Sequence, residues 1–505
     1  MNTPMQASAR RRDVDLAAFV ERVFASRAAQ FALLLAISLL TRISTFGDTG
    51  YHNDEALYFL IGQRMHDGLL PYVDIWDRKG PGLFLLYYLI AGLSRWVVVY
   101  QAAACLFAAA TALTINAIAE RFAGRAGALL AGSFYLIMLP LFAGGGGQAA
   151  VFYNLFMALT ALRVFVRTAR RESGIGPVDY AAMASAGYAI TFKQTAALEG
   201  VLFGCLILWQ VHRSAMPVGR LLAHAICLAI AGTAPMLAFA AVYAGLGHFP
   251  EFWHALVTSN LTKTYDAEGD AGKRIAALAL IASPLLLPAL LGLLALGQDR
   301  SGRPIPRALI AGWLAVATAA IAALPNFIDH YMLPLLLPLA VAAAPALEWR
   351  KLGPVYALFA MLFALMVGPS LDFAERRASR QAMAAIAAEI RARDPQPRLF
   401  DYQGPVHLYA ALGSYPPTPL IFPMHLFSEP ERNTSHLDTA GEVRKVLAWR
   451  PTVVIVAHNF AHNQGNPETG ALVTAYLARC QLWSTRPIID YYGHHQIDIF
   501  GDCGR

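Results

Sequence analysis

A polytopic α-helical membrane protein with a small α/β domain at its C-terminal end is the fold class this sequence predicts, and three observations predict it. Of its 505 residues 57% are hydrophobic and only 14% are charged, outside the range of ordinary soluble globular chains. Apolar runs of membrane-crossing length follow one another from residue 29 to residue 370. From Leu371 the runs shorten to strand length and alternate with helical stretches.

A crossing helix needs about 20 apolar residues. That rule places spans near 29 to 46, 96 to 118, 126 to 143, 149 to 166, 179 to 192, 195 to 211, 221 to 245, 274 to 297, 307 to 324, 331 to 347 and 353 to 369, about eleven in all. Residues 1 to 28, with Arg10, Arg11 and Arg12, read as a cytoplasmic segment before a retained first helix, because no small-residue cleavage site followed by a soluble chain appears. With that end inside, the inner loops Glu120 to Arg125, Arg167 to Glu172, His212 to Arg220, Gln298 to Arg307 and Glu348 to Lys351 are almost all rich in Arg or Lys. The opposite loops are acidic, mixed or nearly uncharged, as the positive-inside rule requires. The net charge of +7 is therefore a topology signal and not a nucleic-acid face. The short aromatic segment Gly82 to Leu93 is expected along the outer interface, since a crossing there would reverse every later loop. The run Gly144 to Gly147 reads as a turn between two helices.

The chain thus divides into the membrane part 29 to 370, with a polar outer loop at 47 to 95, and an extracytoplasmic domain at 371 to 505. Strands are expected at PTVVIVAH, 451 to 458, and RLFDYQ, 398 to 403. Helices are expected at Gln381 to Ala392 and Ala471 to Leu477. Cys105, Cys205 and Cys227 fall in apolar runs as small hydrophobes. Cys480 and Cys503 lie where an oxidising compartment permits a disulfide, and a bond between them is a candidate.

The stretch His52 to Pro81, HNDEALYFLIGQRMHDGLLPYVDIWDRKGP, is far too polar for its surroundings. Ionisable groups beside a bilayer are costly and are usually retained for work, so this loop is the candidate active site. Asp54 and Glu55 diverge by about 100° on a helix, so one carboxylate can face a reaction centre and the other a metal, a partner base or solvent. A carboxylate at a cavity mouth can take a proton from a hydroxyl nucleophile. The alternative is an interfacial pair that merely stays wet. Lys79, in WDRKGP, is placed to bind a lipid-linked phosphate and stabilise its charge on departure. The alternative for Arg78 and Lys79 is snorkelling at a helix end.

In order, NDEALY followed by GLLPYVDIWDRKGPGLFLLYYL resembles the GT-C superfamily of integral-membrane glycosyltransferases, in the family 39-like branch of protein O-mannosyltransferases and lipid A aminoarabinose transferases. NFIDHYMLPLLLPLA, from Asn326, and TFKQTAALEG, from Thr191, are similar to later elements of that branch. The resemblance implies that Asp54 is the catalytic base with Glu55 supporting it, and that Lys79 contacts the donor phosphate. Arg78, His330 and Lys193 are the further phosphate contacts it suggests, with His330 sensitive to pH. Lys193 is otherwise a topology marker. Tyr58, Asp74, Asp77, Asn260, Tyr265 and Tyr331 are candidate lining residues of the substrate cavity; a plain interfacial helix is the other reading of His248 to Tyr265. Two positions depart from the family pattern: Gly80 stands where proline is usual, and Arg78 where some relatives carry an acid. A divalent cation is a candidate cofactor with Glu55 and Asp77 as candidate ligands, and Arg78 sets that in doubt. His494 and His495 lack ligand spacing and read as surface residues.

The function expected is a hexosyl or pentosyl transfer, with inversion, from a polyprenyl-phosphate donor to an envelope lipid, glycan or protein. Absence of a long cytoplasmic domain or a cytoplasmic Asp-x-Asp element argues against a soluble nucleotide-sugar donor. Its expected place is a bacterial cytoplasmic (inner) membrane, among membrane lipids, with the active site and C-terminus facing the periplasm. Two rivals are a flippase of lipid-linked glycans, which would place charge at the midplane, and a non-catalytic scaffold, which leaves the order of Asp-Glu and Lys-Gly-Pro unexplained.

Overall fold

The computed structural model describes residues 26–214, 216–264, 271–296, 307–349, 351–460 and 465–503. The basic N-terminal cluster, Tyr265 and most of the loop Gln298 to Arg307 lie outside them. Every expected span coincides with a helix. These are α1 (Arg27–Leu40), α4 (Val98–Ala119), α5 (Arg125–Met138), α6 (Ala149–Arg170), α7 (Pro177–Ile190), α8 (Ala197–His212), α9 (Val218–Gly245), α10 (Ala271–Ala295), α11 (Arg307–Ala322), α12 (Leu336–Leu347) and α13 (Leu352–Val367). Among the described residues six helical stretches are long and apolar enough to cross a membrane, and α1, α11, α12 and α13 are shorter apolar helices. The protein is a polytopic membrane protein. Helix α12 is apolar all round and buried along nearly its whole length against α5 and α10, as a central helix must be. Helix α9 shows the reverse: Leu222, Ile226, Ile230 and Leu237 are exposed, the pattern of a helix that faces lipid.

Between α1 and α4 the polar loop folds into two helices, α2 (Asn53–His66) and α3 (Pro81–Leu93), which pack on each other. Helix α3 begins with proline at its first turn, where the missing N–H is harmless. At 13 residues it spans roughly 20 Å, short of the hydrocarbon thickness of about 30 Å.

Beyond the last apolar helix, α14 (Phe373–Arg393) leads into a four-stranded sheet of β1 (Leu399–Asp401), β2 (Val453–Ala457), β3 (Gln481–Asp490) and β4 (Gly493–Gly501), in the order β1-β2-β4-β3. Strands β1 and β2 are parallel, while β4 is antiparallel to both β2 and β3. Helices α15 (Thr439–Ala448) and α16 (Pro467–Leu477) complete the domain. A disulfide joins Cys480 and Cys503 at the open end of the β3–β4 hairpin. The sheet is tied to the membrane part by buried polar contacts. The Asp48 carboxylate accepts from Ser379 Oγ at 2.7 Å and faces Arg376 at 3.4 Å, while the Trp76 N–H donates to the Pro419 carbonyl at 2.9 Å.

Candidate active site

The polar loop has a rigid frame. Buried Tyr72 holds a φ of 71°, which costs a residue other than glycine roughly 1–3 kcal/mol and persists only where surroundings over-determine it. Here they do: its ring packs against Phe84, Tyr243 and Phe252, and its hydroxyl donates to the Lys79 carbonyl at 2.8 Å. Asp77 fixes the same residue from the other side, its carboxylate accepting from the Lys79 N–H at 2.7 Å. Gly80 then lies directly on the turn between α7 and α8. Its N–H donates to the Phe192 carbonyl at 3.2 Å, and a Cβ there would overlap the Thr191 carbonyl oxygen. This explains the departure from proline: proline would lose that bond and collide with the turn.

The frame presents Lys79 to the first turn of α2. Lys79 Nζ lies 3.9 Å from Asp54 Oδ2 and 5.6 Å from the centre of the Tyr58 ring, and the Tyr58 hydroxyl donates to Asp54 at 3.2 Å. Asp54 and Lys79 remain 24% and 20% exposed, so both are reachable. Burial opposes ionisation of Asp54, but the Lys79 charge outweighs it, aided by the Tyr58 hydroxyl, and holds the carboxyl well below the usual carboxylate range. Lys193 projects from the α7–α8 turn over the Tyr331 ring, 3.9 Å from its centre. Burial and the charge of Lys79 push its ammonium well down. His330 is nearly buried, its Nδ1 has no hydrogen-bond partner, and burial followed by the Lys193 charge keeps its imidazole neutral. Asp54, Lys79, Lys193, His330 and Tyr331 therefore form one neighbourhood.

Glu55 turns the other way. It is fully buried against the Gly144 to Gly147 run, where a Cβ at Gly146 would overlap its carboxylate. The run is thus more than a turn, since it forms the floor on which α2 sits. Burial pushes the Glu55 carboxyl up to about 8, with the Gly147 and Gln148 amides opposing the rise. Glu55 and Asp77 serve different partners, and among the described residues no group of three or more His, Cys, Asp or Glu side chains is disposed to hold a metal ion. The residues present do not fit a carboxylate-held divalent cation.

Other candidates have their side-chain partners elsewhere. Arg78 makes a two-pronged ion pair with Glu431 of the C-terminal domain, one arm at 2.8 Å, and also donates to Thr434 Oγ1 at 3.0 Å. Lys263 reaches the same Glu431 at 2.8 Å. Asp74 is exposed and closes a local turn, accepting from the Leu70 N–H at 2.7 Å. Asn260 is exposed and donates back to the Leu256 carbonyl on its own helical segment at 3.0 Å.

Sequence reasoning missed two participants. His52 caps α2, its Nδ1 accepting from the Asp54 N–H at 3.3 Å, and its ring stands 6.2 Å from that of His330. Its signal was adjacency to Asp54. Tyr492, at the tip of the β3–β4 hairpin, places its hydroxyl 3.3 Å from His52 Nε2, and the neighbouring Tyr491 N–H donates to the Tyr51 carbonyl at 2.8 Å. Nothing local in the sequence marks a tyrosine 440 residues away as part of the site.

No family model matches the chain, and no curated protein matches it in sequence. Among solved structures the likeness covers nearly the whole chain. A bundle of apolar helices, a helical polar loop after the first of them and a small mixed sheet at the C-terminal end make up an ArnT-like fold. It is similar to ArnT from Cupriavidus metallidurans bound to undecaprenyl phosphate, with a TM-score of 0.61 and 16% identity over 93% of this chain and 97% of that one. The apo state of the same ArnT matches with a TM-score of 0.59 and 15% identity over the same shares.

Proposed function

We propose that this protein is a glycosyltransferase that takes a sugar from a polyprenyl-phosphate donor and passes it to an acceptor on the outer side of a bacterial cytoplasmic membrane. The observation that carries the reading is the ionised Asp54 carboxylate set 3.9 Å from Lys79, with Lys193 and His330 beside them, on a GT-C fold. The similar ArnT structure is bound to undecaprenyl phosphate, which supports a polyprenyl phosphate as the leaving group.

The reaction is one displacement. The acceptor oxygen attacks the anomeric carbon, the bond from that carbon to the phosphate oxygen breaks with its electron pair leaving on phosphate, and the acceptor proton passes to Asp54. Attack opposite the leaving group inverts the anomeric centre. Alone, Asp54 is a weak base because Lys79 stabilises its charge. A donor phosphate at Lys79 diverts that charge, so donor binding itself makes Asp54 more basic. The same phosphate favours protonation of His330, which is neutral without it.

The test is transfer by purified protein in nanodiscs, offered a panel of polyprenyl-phosphate sugars with membrane extract as acceptor. Wild type is expected to release polyprenyl phosphate and label an acceptor, and a folded Asp54→Asn variant to lose at least a hundredfold of that rate. Equal transfer by both removes Asp54 as the base. An inert wild type that moves labelled lipid between leaflets replaces the enzyme by a flippase.

A further inference from the structure

We infer that the tip of the β3–β4 hairpin is the acceptor wall of this site, and that Tyr492 is the residue that contacts the acceptor. The inference rests on the glycosyltransferase reading and concerns the half of the reaction left open by Asp54 and Lys79.

Among the named side chains around Asp54, the inner wall is closed. Tyr58, His52 and His330 are 1%, 5% and 8% exposed, and the Tyr331 ring lies under Lys193. On the proposed reading the two lysines face the donor phosphate. Tyr492 is the exception, a large ring 56% exposed that still touches the site through His52. Its ring centre is 5.6 Å from that of His52 and 5.3 Å from that of Tyr491.

The exposure is not that of a loose loop. Tyr491 is pinned from both ends, its N–H on the Tyr51 carbonyl and its hydroxyl on the Leu141 carbonyl at 3.1 Å. The Tyr492 N–H donates to Asp490 Oδ1 at 2.8 Å, and Gly493 takes the φ of 124° that turns the chain back into β4. A ring fixed by its backbone, held by its hydroxyl and more than half exposed is pre-organised for contact with a partner, since little entropy remains to be lost. On the glycosyltransferase reading that partner is the acceptor, whose oxygen must come beside Asp54.

The experiment compares wild type, Tyr492→Ala, Tyr492→Phe and Leu482→Ala, the last an exposed position near the far end of the same hairpin. Each is measured for binding of undecaprenyl phosphate and for transfer to membrane extract over a range of extract concentrations. For Tyr492→Ala the expected result is wild-type affinity for undecaprenyl phosphate, about tenfold less transfer at low extract, and recovery toward the wild-type maximum as extract is raised. Tyr492→Phe, which keeps the ring, is expected within threefold of wild type, and so is Leu482→Ala. The inference is overturned if Tyr492→Ala transfers normally, if it loses undecaprenyl phosphate binding together with transfer, or if Phe fails as Ala does. A wild type that binds undecaprenyl phosphate and transfers nothing overturns the enzyme reading, and this inference with it.

Discussion

Replacing Glu431 with alanine should loosen the C-terminal domain from the polar loop by about 3–5 kcal/mol. The side chain is 6% exposed and answers two cations at once, Arg78 at 15% and Lys263 at 18% exposure. Burial opposes its ionisation, but the hydrogen bond and charge of Arg78 win, so its carboxyl sits far below the ordinary range while the Arg78 guanidinium is raised. A carboxylate with a depressed pKa contributes stability above its unfolded value of 4.5, and loses it only as pH falls through the depressed one. At pH 7 the contribution is complete. Removing one partner of such a buried pair costs about 3–5 kcal/mol because the other charges stay buried, whereas replacing both partners by apolar groups is often close to neutral. Hydrogen exchange reads this directly. Amides of residues 428 to 439 should exchange about two to four powers of ten faster in Glu431→Ala at pH 7. The triple variant Arg78→Met, Lys263→Met and Glu431→Leu, which removes all three charges, should recover most of that protection. Exchange within twofold of wild type in Glu431→Ala would refute the reasoning, as would a triple variant no better than the single.

Two further outcomes follow from the geometry. Gly80→Ala should lose about 1–3 kcal/mol through collision with the Thr191 carbonyl and depress transfer by displacing Lys79 and Lys193 together; Gly80→Pro should be worse, while Gly174→Ala, in open space, should be silent in both thermal unfolding and transfer. Stability of the sheet domain should peak near pH 6.5. His407 and His425, buried and pushed down to about 4 and about 3 from 6.5, are protonated only in the unfolded chain between those values, so stability falls with acid. Asp401, buried and pushed up to about 8 from 3.8, holds a proton only in the fold, so stability falls with alkali. Each limb carries about one net proton, or about 1.4 kcal/mol per pH unit, in the exchange of β1 and β2 amides corrected for intrinsic rate. A stability that rises steadily through pH 8 would contradict this.

How much of this was legible depends on how local the cause was. Span length is a local property, and each of the expected spans meets a helix. Strands β1 and β2 were readable because they are short apolar runs. The β3–β4 hairpin was not, since its sequence mixes Arg, Asp, His and Pro, and its pairing depends on the rest of the sheet. In the site, the order of Asp54 and Lys79 survived because both belong to one loop. The neutralisation of Arg78 by Glu431 and the arrival of Tyr492 at His52 could not be read, because each joins residues more than 350 positions apart. The Gly144 to Gly147 run shows the same limit: four glycines announce a turn, but not that Glu55 is pressed against it.

The hairpin that ends beside His52 also sets an order of events in biosynthesis. Asp54 and Lys79 are made well before the strand pair that brings Tyr492 to His52, 440 positions along the chain from that histidine. Until that pair is folded and closed by its disulfide, His52 lacks its contact with Tyr492. The membrane helices can pack first, while the neighbourhood of Asp54 gains its last contact only once the sheet docks.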